Sequence, residues 1–167
     1  MNENKVEIEK KYVIAMPKVS LLEKMPEYTE SDIVQIYLSS PSGITHRVRS
    51  RSRLGAVVYT ETKKVRIDKM SAFEDEREIS RDEFEKLALN PAEGTKPIVK
   101  KRYTFVYKNQ LFEIDVYPEW KSSAIMETEL EDRDTVVEFP DFIKILSDVT
   151  GNRRYSNAAM AKSFPEE

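Results

Sequence analysis

The sequence contains no cysteine and only one histidine, His46, among its 167 residues. Without cysteine the chain forms no disulfide, thiolate nucleophile or cysteine-based zinc site. A single histidine also excludes metal sites built from several histidines. No apolar run is long enough to cross a membrane, and the polar start does not resemble a signal peptide. We therefore expect a soluble, cytoplasmic protein with no membrane partner.

An excess of charge of either sign is missing as well. Charged residues make up 34% of the chain, yet the formal net charge is only −3. Nucleic-acid-binding proteins usually carry a basic excess, so we expect no nucleic-acid partner. Hydrophobic residues make up 40% of the sequence, which is enough for a sizeable core. The length predicts a single domain over residues 1–167.

Apolar and polar residues alternate with a period of two along most of the chain, which predicts β-strands. In the first of these, Glu7, Glu9 and Lys11 share one face. So many short strands, several joined by tight turns, predict an antiparallel sheet or barrel. The predicted strands cover residues 6–14, 43–51, 57–64, 73–79, 100–107, 111–117 and 124–131.

Helices are predicted at fewer places. Ser80 and Glu83 form a capping box that opens one helix. A second is predicted over residues 140–150, where apolar residues are frequent and Gly151 suits the C-terminal cap. A short third helix is predicted over residues 18–24.

The residues alone leave two arrangements of a barrel open. In an ordinary barrel the apolar strand faces point inward, because ionised side chains are rarely buried. In an inverted barrel the charged faces line a wet lumen, and the apolar stripes of the helices pack on the apolar outside of the strands. Only the inverted arrangement gives those helices an apolar surface to cover.

Two strands carry carboxylates two residues apart on one face: Glu7 with Glu9, and Glu127 with Glu129. Oxygen ligands at this spacing suit Mg²⁺ or Mn²⁺, although a solvated strand face with paired charges has the same pattern. Cationic side chains on several strands have the chemistry to bind phosphate oxygens. These are Lys11, Arg47, Arg49, Lys64, Lys100 and Arg102.

The order of these motifs along the chain is more specific than any one of them. The sequence reads Glu7-x-Glu9-x-Lys11, Arg47-x-Arg49, Thr62-x-Lys64, Glu76-x-Glu78, Lys100-x-Arg102, Asp115 and Glu127-x-Glu129. Residues 151–157 add a closing segment with an Arg-Tyr-x-Asn pattern. Over residues 6–162 the chain resembles the CYTH, or triphosphate tunnel metalloenzyme, superfamily.

This resemblance implies an α+β fold in which a closed antiparallel β-barrel forms a tunnel with a charged interior and helices pack on the outside. It implies Mg²⁺ or Mn²⁺ as cofactor. The implied metal ligands are Glu7, Glu9, Glu78, Asp115, Glu127 and Glu129. The implied substrate-binding residues are Lys11, Arg47, Arg49, Lys64, Lys100, Arg102 and Arg153, and the implied catalytic residues are Lys11, Glu7 and Glu9. Of the adjacent Lys63 and Lys64 we choose Lys64, which shares a face with Thr62.

A nearly neutral lumen of this kind would need a divalent ion in order to bind a highly charged triphosphate. We therefore expect metal-dependent hydrolysis of a small triphosphate-containing molecule, with inorganic tripolyphosphate favoured. An adenylate cyclase of the class IV type that converts ATP to cyclic AMP, and a thiamine triphosphatase, remain open. Outside the enzymes, a non-catalytic polyphosphate-binding module remains open. The chain is expected to act as a monomer or a homodimer.

Overall fold

Nine antiparallel strands build the protein in a computed structural model that describes residues 2–167. Their order in the sheet is β5-β4-β3-β2-β6-β7-β8-β1-β9, and a further pairing of β5 with β1 closes the first eight into a barrel. The predicted closed antiparallel barrel is thereby confirmed. The strands are β1 (Asn2–Ala15), β2 (Thr29–Leu38), β3 (Ile44–Arg53), β4 (Ala56–Arg66), β5 (Ser71–Ile79), β6 (Ile98–Tyr107), β7 (Gln110–Val116), β8 (Ser123–Glu129) and β9 (Ile145–Asp148).

Strand β1 closes the barrel because its two halves have different partners. Residues 2–8 pair with β5, and residues 9–15 pair with β8. In the second pairing Glu9 lies opposite Glu129 and Lys11 lies opposite Glu127. The register of this closure therefore brings the two carboxylate pairs found in the sequence onto neighbouring strands.

The helix predicted over residues 140–150 is wrong, because this segment contains strand β9. Strand β5 ends its pairing with β1 at Ile8, which leaves the backbone of β1 open on that side. Strand β9 takes this free edge and pairs with Tyr12, Val13 and Ile14. Unsatisfied backbone groups at a sheet edge thus override the apolar spacing that favoured a helix.

Strand β2 is absent from the predicted strands. Its inward positions include the apolar Ile33 beside the polar Gln35, and its outward positions include Val34 and Ile36. Both faces therefore mix apolar and polar residues, and the alternation that marks the other strands is lost.

Three short helices and one 3-10 turn accompany the barrel: α1 (Val19–Leu22), α2 (Arg81–Ala88), α3 (Asn157–Met160) and the turn Arg153–Tyr155. The predicted cap of α2 is confirmed, since the Ser80 hydroxyl accepts a hydrogen bond from the Glu83 amide at 3.1 Å. Helix α2 packs Phe84 and Leu87 on the outside of the barrel, against Val48. Within the described residues, no helix is both long and apolar enough to cross a membrane.

The main apolar core lies outside the barrel, between its wall and the segments that cover it. Phe105, Phe112, Ile114 and Met126 point outward from β6, β7 and β8 and are fully buried. Each such side chain contributes about 1.5–3 kcal/mol through burial. The cover comes mainly from α1 and from irregular chain around Phe139. The barrel is therefore inverted, with its apolar face outside.

A second apolar cluster closes one end of the barrel. It joins Tyr117 and Trp120 with Met160 and with Phe164 from the C-terminal segment. The Trp120 indole N–H donates to the carbonyl of Pro165 at 2.9 Å, which fixes this segment against the barrel. Tyr117 and Trp120 are therefore parts of an apolar plug, and their rings do not face the lumen as free surfaces.

Candidate functional site

A cavity of about 710 Å³ occupies the barrel, and all eight barrel strands contribute side chains to its lining. Helix α3 and the turn before it line the cavity at the plugged end. Most of the site residues predicted from the sequence come together here. Those that line the cavity are Glu7, Glu9, Lys11, Arg47, Arg49, Lys64, Arg102, Glu127, Glu129 and Arg153.

One side of the cavity is acidic. We call this side the acidic wall, which consists of Glu7 and Glu9 of β1, Glu127 and Glu129 of β8, and Glu74 of β5. These three strands are neighbours in the barrel, and Glu76 of β5 lines the cavity next to this wall as a sixth carboxylate. Lysines reach into this wall: Lys11 Nζ lies 3.2 Å from Glu127 Oε1, and Lys64 Nζ lies 3.4 Å from Glu7 Oε2.

The carboxylates of the acidic wall repel one another despite these lysines. The charge of Glu127, together with burial, raises the pKa of Glu9 to about 7. Burial and the neighbouring Glu7 also raise the pKa of Glu74. Burial would raise the pKa of Glu127, but the charges of Lys11, Arg102 and Lys100 together outweigh it and lower that pKa to about 2. The wall therefore holds more negative charge than its lysines balance.

The opposite side of the cavity is cationic. We call it the cationic wall, which consists of Arg47, Arg49 and Arg51 of β3 and Arg102 of β6. In the closed strand order, β3 lies four strands from β8 in either direction, so the two walls face each other. Burial and the charges of Arg47 and Arg102 lower the pKa of Arg49. Buried Arg47 Nε has no hydrogen-bond partner in the described structure. These crowded guanidinium groups have the hydrogen-bond donors and the charge that anion binding requires.

Three predicted site residues lie away from the cavity lining. Glu78 alternates along β5 with the residues of the inward face, as predicted, but it lies one residue from the end of the strand and is exposed. Lys100 of β6 and Asp115 of β7 are buried, and Lys100 Nζ donates to Asp115 Oδ2 at 2.7 Å. Parity along a strand predicts the face of a residue but not its height in the barrel, which explains the position of Glu78.

Asp115 holds Arg102 as well as Lys100. Arg102 Nε donates to Asp115 Oδ1 at 2.7 Å, and Arg102 Nη2 donates to Asp115 Oδ2 at 2.9 Å. Burial would raise the pKa of Asp115, but Arg102 and Lys100 outweigh it and hold that pKa well below its usual range. Both carboxylate oxygens are thus engaged, so Asp115 is arranged to orient Arg102 rather than to ligate an ion.

The choice between the two adjacent lysines of β4 is resolved by the geometry. Lys64 lines the cavity and reaches Glu7 and Glu74, whereas Lys63 is exposed on the outer face. His46 also lies on the outer face, where its ring is 3.7 Å from Glu61.

Several cavity residues were not predicted from the sequence. Glu74 belongs to the acidic wall. The strand register places it opposite both Lys5 and Lys64, and this pairing could have identified it as a cavity residue. Tyr37 lines the cavity from β2, and Gln35 is fully buried beside it. These two residues belong to β2, the strand in which apolar and polar residues alternate least clearly. Only their spacing of two residues indicates that they share a face.

Comparison with known proteins gives matches among solved structures only. No family model and no curated protein matches the sequence. The crystal structure of the inorganic triphosphatase NE1496 matches with a TM-score of 0.59 and 28% identity, over 96% of this chain and 97% of that chain. The PH1819 protein from Pyrococcus horikoshii OT3 matches with a TM-score of 0.59 and 22% identity, over 77% of this chain and 80% of that chain. The PH1012 protein from the same organism matches with a TM-score of 0.56 and 18% identity, over 75% and 80% of the two chains. At such identities the two Pyrococcus structures support the fold alone.

Proposed function

We propose that this chain, which has the fold of the CYTH, or triphosphate tunnel metalloenzyme, superfamily, hydrolyses a triphosphate in its barrel cavity with the help of a divalent metal ion. One observation carries the proposal: the acidic and cationic walls face each other across an enclosed space. A cationic wall alone would suit a simple anion-binding protein. The acidic wall opposite it adds ligands for a cation, which a phosphate-binding module does not need.

The carboxylates of the acidic wall fit a hard divalent cation, because Mg²⁺ and Mn²⁺ prefer oxygen ligands. In the described part of the chain no three of them converge closely enough to hold an ion as they stand. Lys5, Lys11 and Lys64 are paired with them instead. Glu7, Glu9, Glu127 and Glu129 would hold the ion. When bound, the ion would neutralise phosphate charge and lower the pKa of an attacking water.

The remaining chemistry falls to the side chains of this chain. Arg47, Arg49 and Arg102 would bind phosphate oxygens and stabilise the negative charge that these oxygens carry during phosphoryl transfer. Asp115 would keep the Arg102 guanidinium in position. Lys11 supplies a positive charge beside the acidic wall, where it would stabilise the leaving phosphate.

The similarity to NE1496 supports this proposal, since that protein is described as an inorganic triphosphatase and the match spans nearly the whole of both chains. The test is a substrate screen with Mg²⁺ or Mn²⁺ and tripolyphosphate, ATP or thiamine triphosphate, in which phosphate release and cyclic AMP are both followed. Release of phosphate from one of these substrates supports the proposal. Cyclic AMP as the main product would replace hydrolysis by the cyclase reaction, and no turnover would leave only a binding module.

We predict that tripolyphosphate is hydrolysed with a higher kcat/KM than ATP. Recognition of an adenine base needs an aromatic or aliphatic pocket wall with a few placed polar groups. Tyr37 is the only aromatic residue in the described lining of the cavity, and Trp120 is enclosed in the apolar plug. Steady-state kinetics on the two substrates check this, and a higher kcat/KM for ATP would show that an adenine site exists.

We also predict that the adjacent lysines of β4 are not equivalent. Lys64→Ala removes a cation that lines the cavity, and kcat/KM should fall by about 10-fold or more, since a hydrogen bond to a charged group is lost. Lys63→Ala changes an exposed side chain on the outer face and should stay within about 2-fold. Parallel kinetics on the two variants measure the difference. The reverse ranking would mean that β4 is shifted by one residue.

A further inference from the structure

Lys5 carries a positive charge into the acidic wall from the first half of β1. It shares the inward face of the strand with Glu7 and Glu9, since side chains on a strand have a period of two, and it lines the cavity. Lys5 Nζ lies 3.4 Å from Glu7 Oε1 and 3.6 Å from Glu129 Oε1. These two carboxylates belong to β1 and β8, so one ammonium group links the two strands. Lys5 is neither an implied metal ligand nor an implied substrate-binding residue.

The strand register adds a third carboxylate to the surroundings of Lys5. In the pairing of β1 with β5, Lys5 lies directly opposite Glu74. Side chains that are directly opposite each other on neighbouring antiparallel strands share a face of the sheet and lie close together. The Lys5 side chain therefore faces carboxylates from three strands. A hard divalent cation requires oxygen ligands of this same kind.

Among the lysines paired with the acidic wall, Lys5 is the one that can leave it most easily. Its side chain is 47% exposed, compared with 13% for Lys11 and 29% for Lys64. Lys11 Nζ also donates a hydrogen bond to the backbone carbonyl of Tyr155 at 3.3 Å, which holds it in place. The flexible four-carbon stem of Lys5 allows its ammonium group to turn toward solvent while the strand stays where it is.

We propose that Lys5 is an internal cation that competes with the divalent metal ion for the carboxylates of Glu7 and Glu129, and thereby sets the metal concentration at which the site fills. The proposal rests on the proposed function, because it takes these carboxylates as metal ligands. The ammonium group repels any second cation a few ångströms away and occupies the carboxylate oxygens that the ion needs. Lys5 must therefore turn toward solvent before carboxylates of both strands can share one ion.

The test measures the Kd of Mn²⁺ for the protein without substrate, by electron paramagnetic resonance of the free ion. Lys5→Gln removes the charge and keeps a polar side chain. We expect this Kd to fall by about 10-fold, since repulsion between charges a few ångströms apart near a protein surface is large enough for such a change. Lys5→Arg keeps the charge, so its Kd should stay within about 3-fold of that of the natural chain.

Lys10→Gln is the matched control, because it makes the same chemical change on the outer face of the same strand. Lys10 alternates with Glu9 and Lys11, which line the cavity, and it lies in an outer groove with Asp148. The backbone of β1 and solvent separate its charge from the acidic wall. The Kd of this variant should stay within about 2-fold of that of the natural chain.

Ionic strength gives a readout that a purely structural role of Lys5 would not change. Because the Lys5 side chain is half exposed, dissolved salt screens its charge. At 1 M salt, where the screening length is about 3 Å, the difference in Kd between Lys5→Gln and the natural chain should shrink to less than about 3-fold. The thermal unfolding midpoints of the two proteins should agree closely under both conditions.

Two results would overturn this inference and leave the proposed function intact. The first is a Kd of Mn²⁺ that is unchanged or higher in Lys5→Gln, in a protein that still releases phosphate from tripolyphosphate with Mn²⁺. The second is a natural chain that needs Mn²⁺ for this reaction but binds none without the substrate. Full activity of the natural chain in excess EDTA would instead overturn the proposed function, and this inference with it.

Discussion

Replacing Glu127 by glutamine is expected to lower triphosphatase activity by about 100-fold or more while the protein stays folded. Changes that only disturb the surroundings of a metal site already cost about 10- to 100-fold, and this change removes an anionic ligand from the acidic wall. The fold should survive because glutamine has nearly the same size. In this variant Lys11 still has a second acidic neighbour, Glu9, which balances its positive charge. Phosphate release from tripolyphosphate and thermal unfolding measure the two parts of this prediction.

Glu131→Gln is the matched control, because it makes the same chemical change at an exposed position beyond the end of β8. Its activity should equal that of the natural chain. Full activity of Glu127→Gln, or full activity of the natural chain in excess EDTA, would contradict the metal-dependent mechanism.

Replacing Asp115 by asparagine is expected to lower the free energy of unfolding by about 3–5 kcal/mol. Asp115 is the common acceptor for Lys100 and Arg102, and the side chains of Lys100 and Arg102 are 0% and 8% exposed. Removal of its charge leaves these two cations buried without their main partner. Denaturant unfolding of the natural and variant chains measures the loss.

Glu113→Gln provides the comparison for Asp115. Glu113 also pairs with Arg102, at 2.7 Å, but its side chain is 31% exposed and Arg102 keeps Asp115. Water screens this pair, so the loss should be about 1 kcal/mol or less. Equal losses from the two variants would show that Asp115 is not the centre of the buried network.

The strand faces of the site could be predicted from the sequence wherever charge and apolar residues alternate cleanly. Glu7, Glu9 and Lys11 share a face because side chains on a strand have a period of two. The same reasoning places Arg47 and Arg49 in the lumen. The inverted barrel itself needed a further physical step, namely that an outer apolar surface must be covered, and the outer core confirms it.

Features that depend on pairing between distant strands could not be predicted in the same way. Glu74, Glu76 and Glu78 share a face of β5, yet only Glu74 and Glu76 line the cavity. Asp115 has the charge of a metal ligand, but both of its carboxylate oxygens already accept hydrogen bonds from Lys100 and Arg102. Strand β9 forms because a backbone edge on β1 is free, which follows from the closure of the barrel and has no local signal.

The most direct test of the central claim is a crystal structure of the protein with Mn²⁺ and inorganic tripolyphosphate, in which anomalous scattering locates the metal. We predict that the anion lies inside the barrel against Arg47 and Arg49, with the metal between it and the carboxylates of Glu127 and Glu129. An anion bound only on the outer surface of the barrel, or a metal bound away from the acidic wall, would contradict the account.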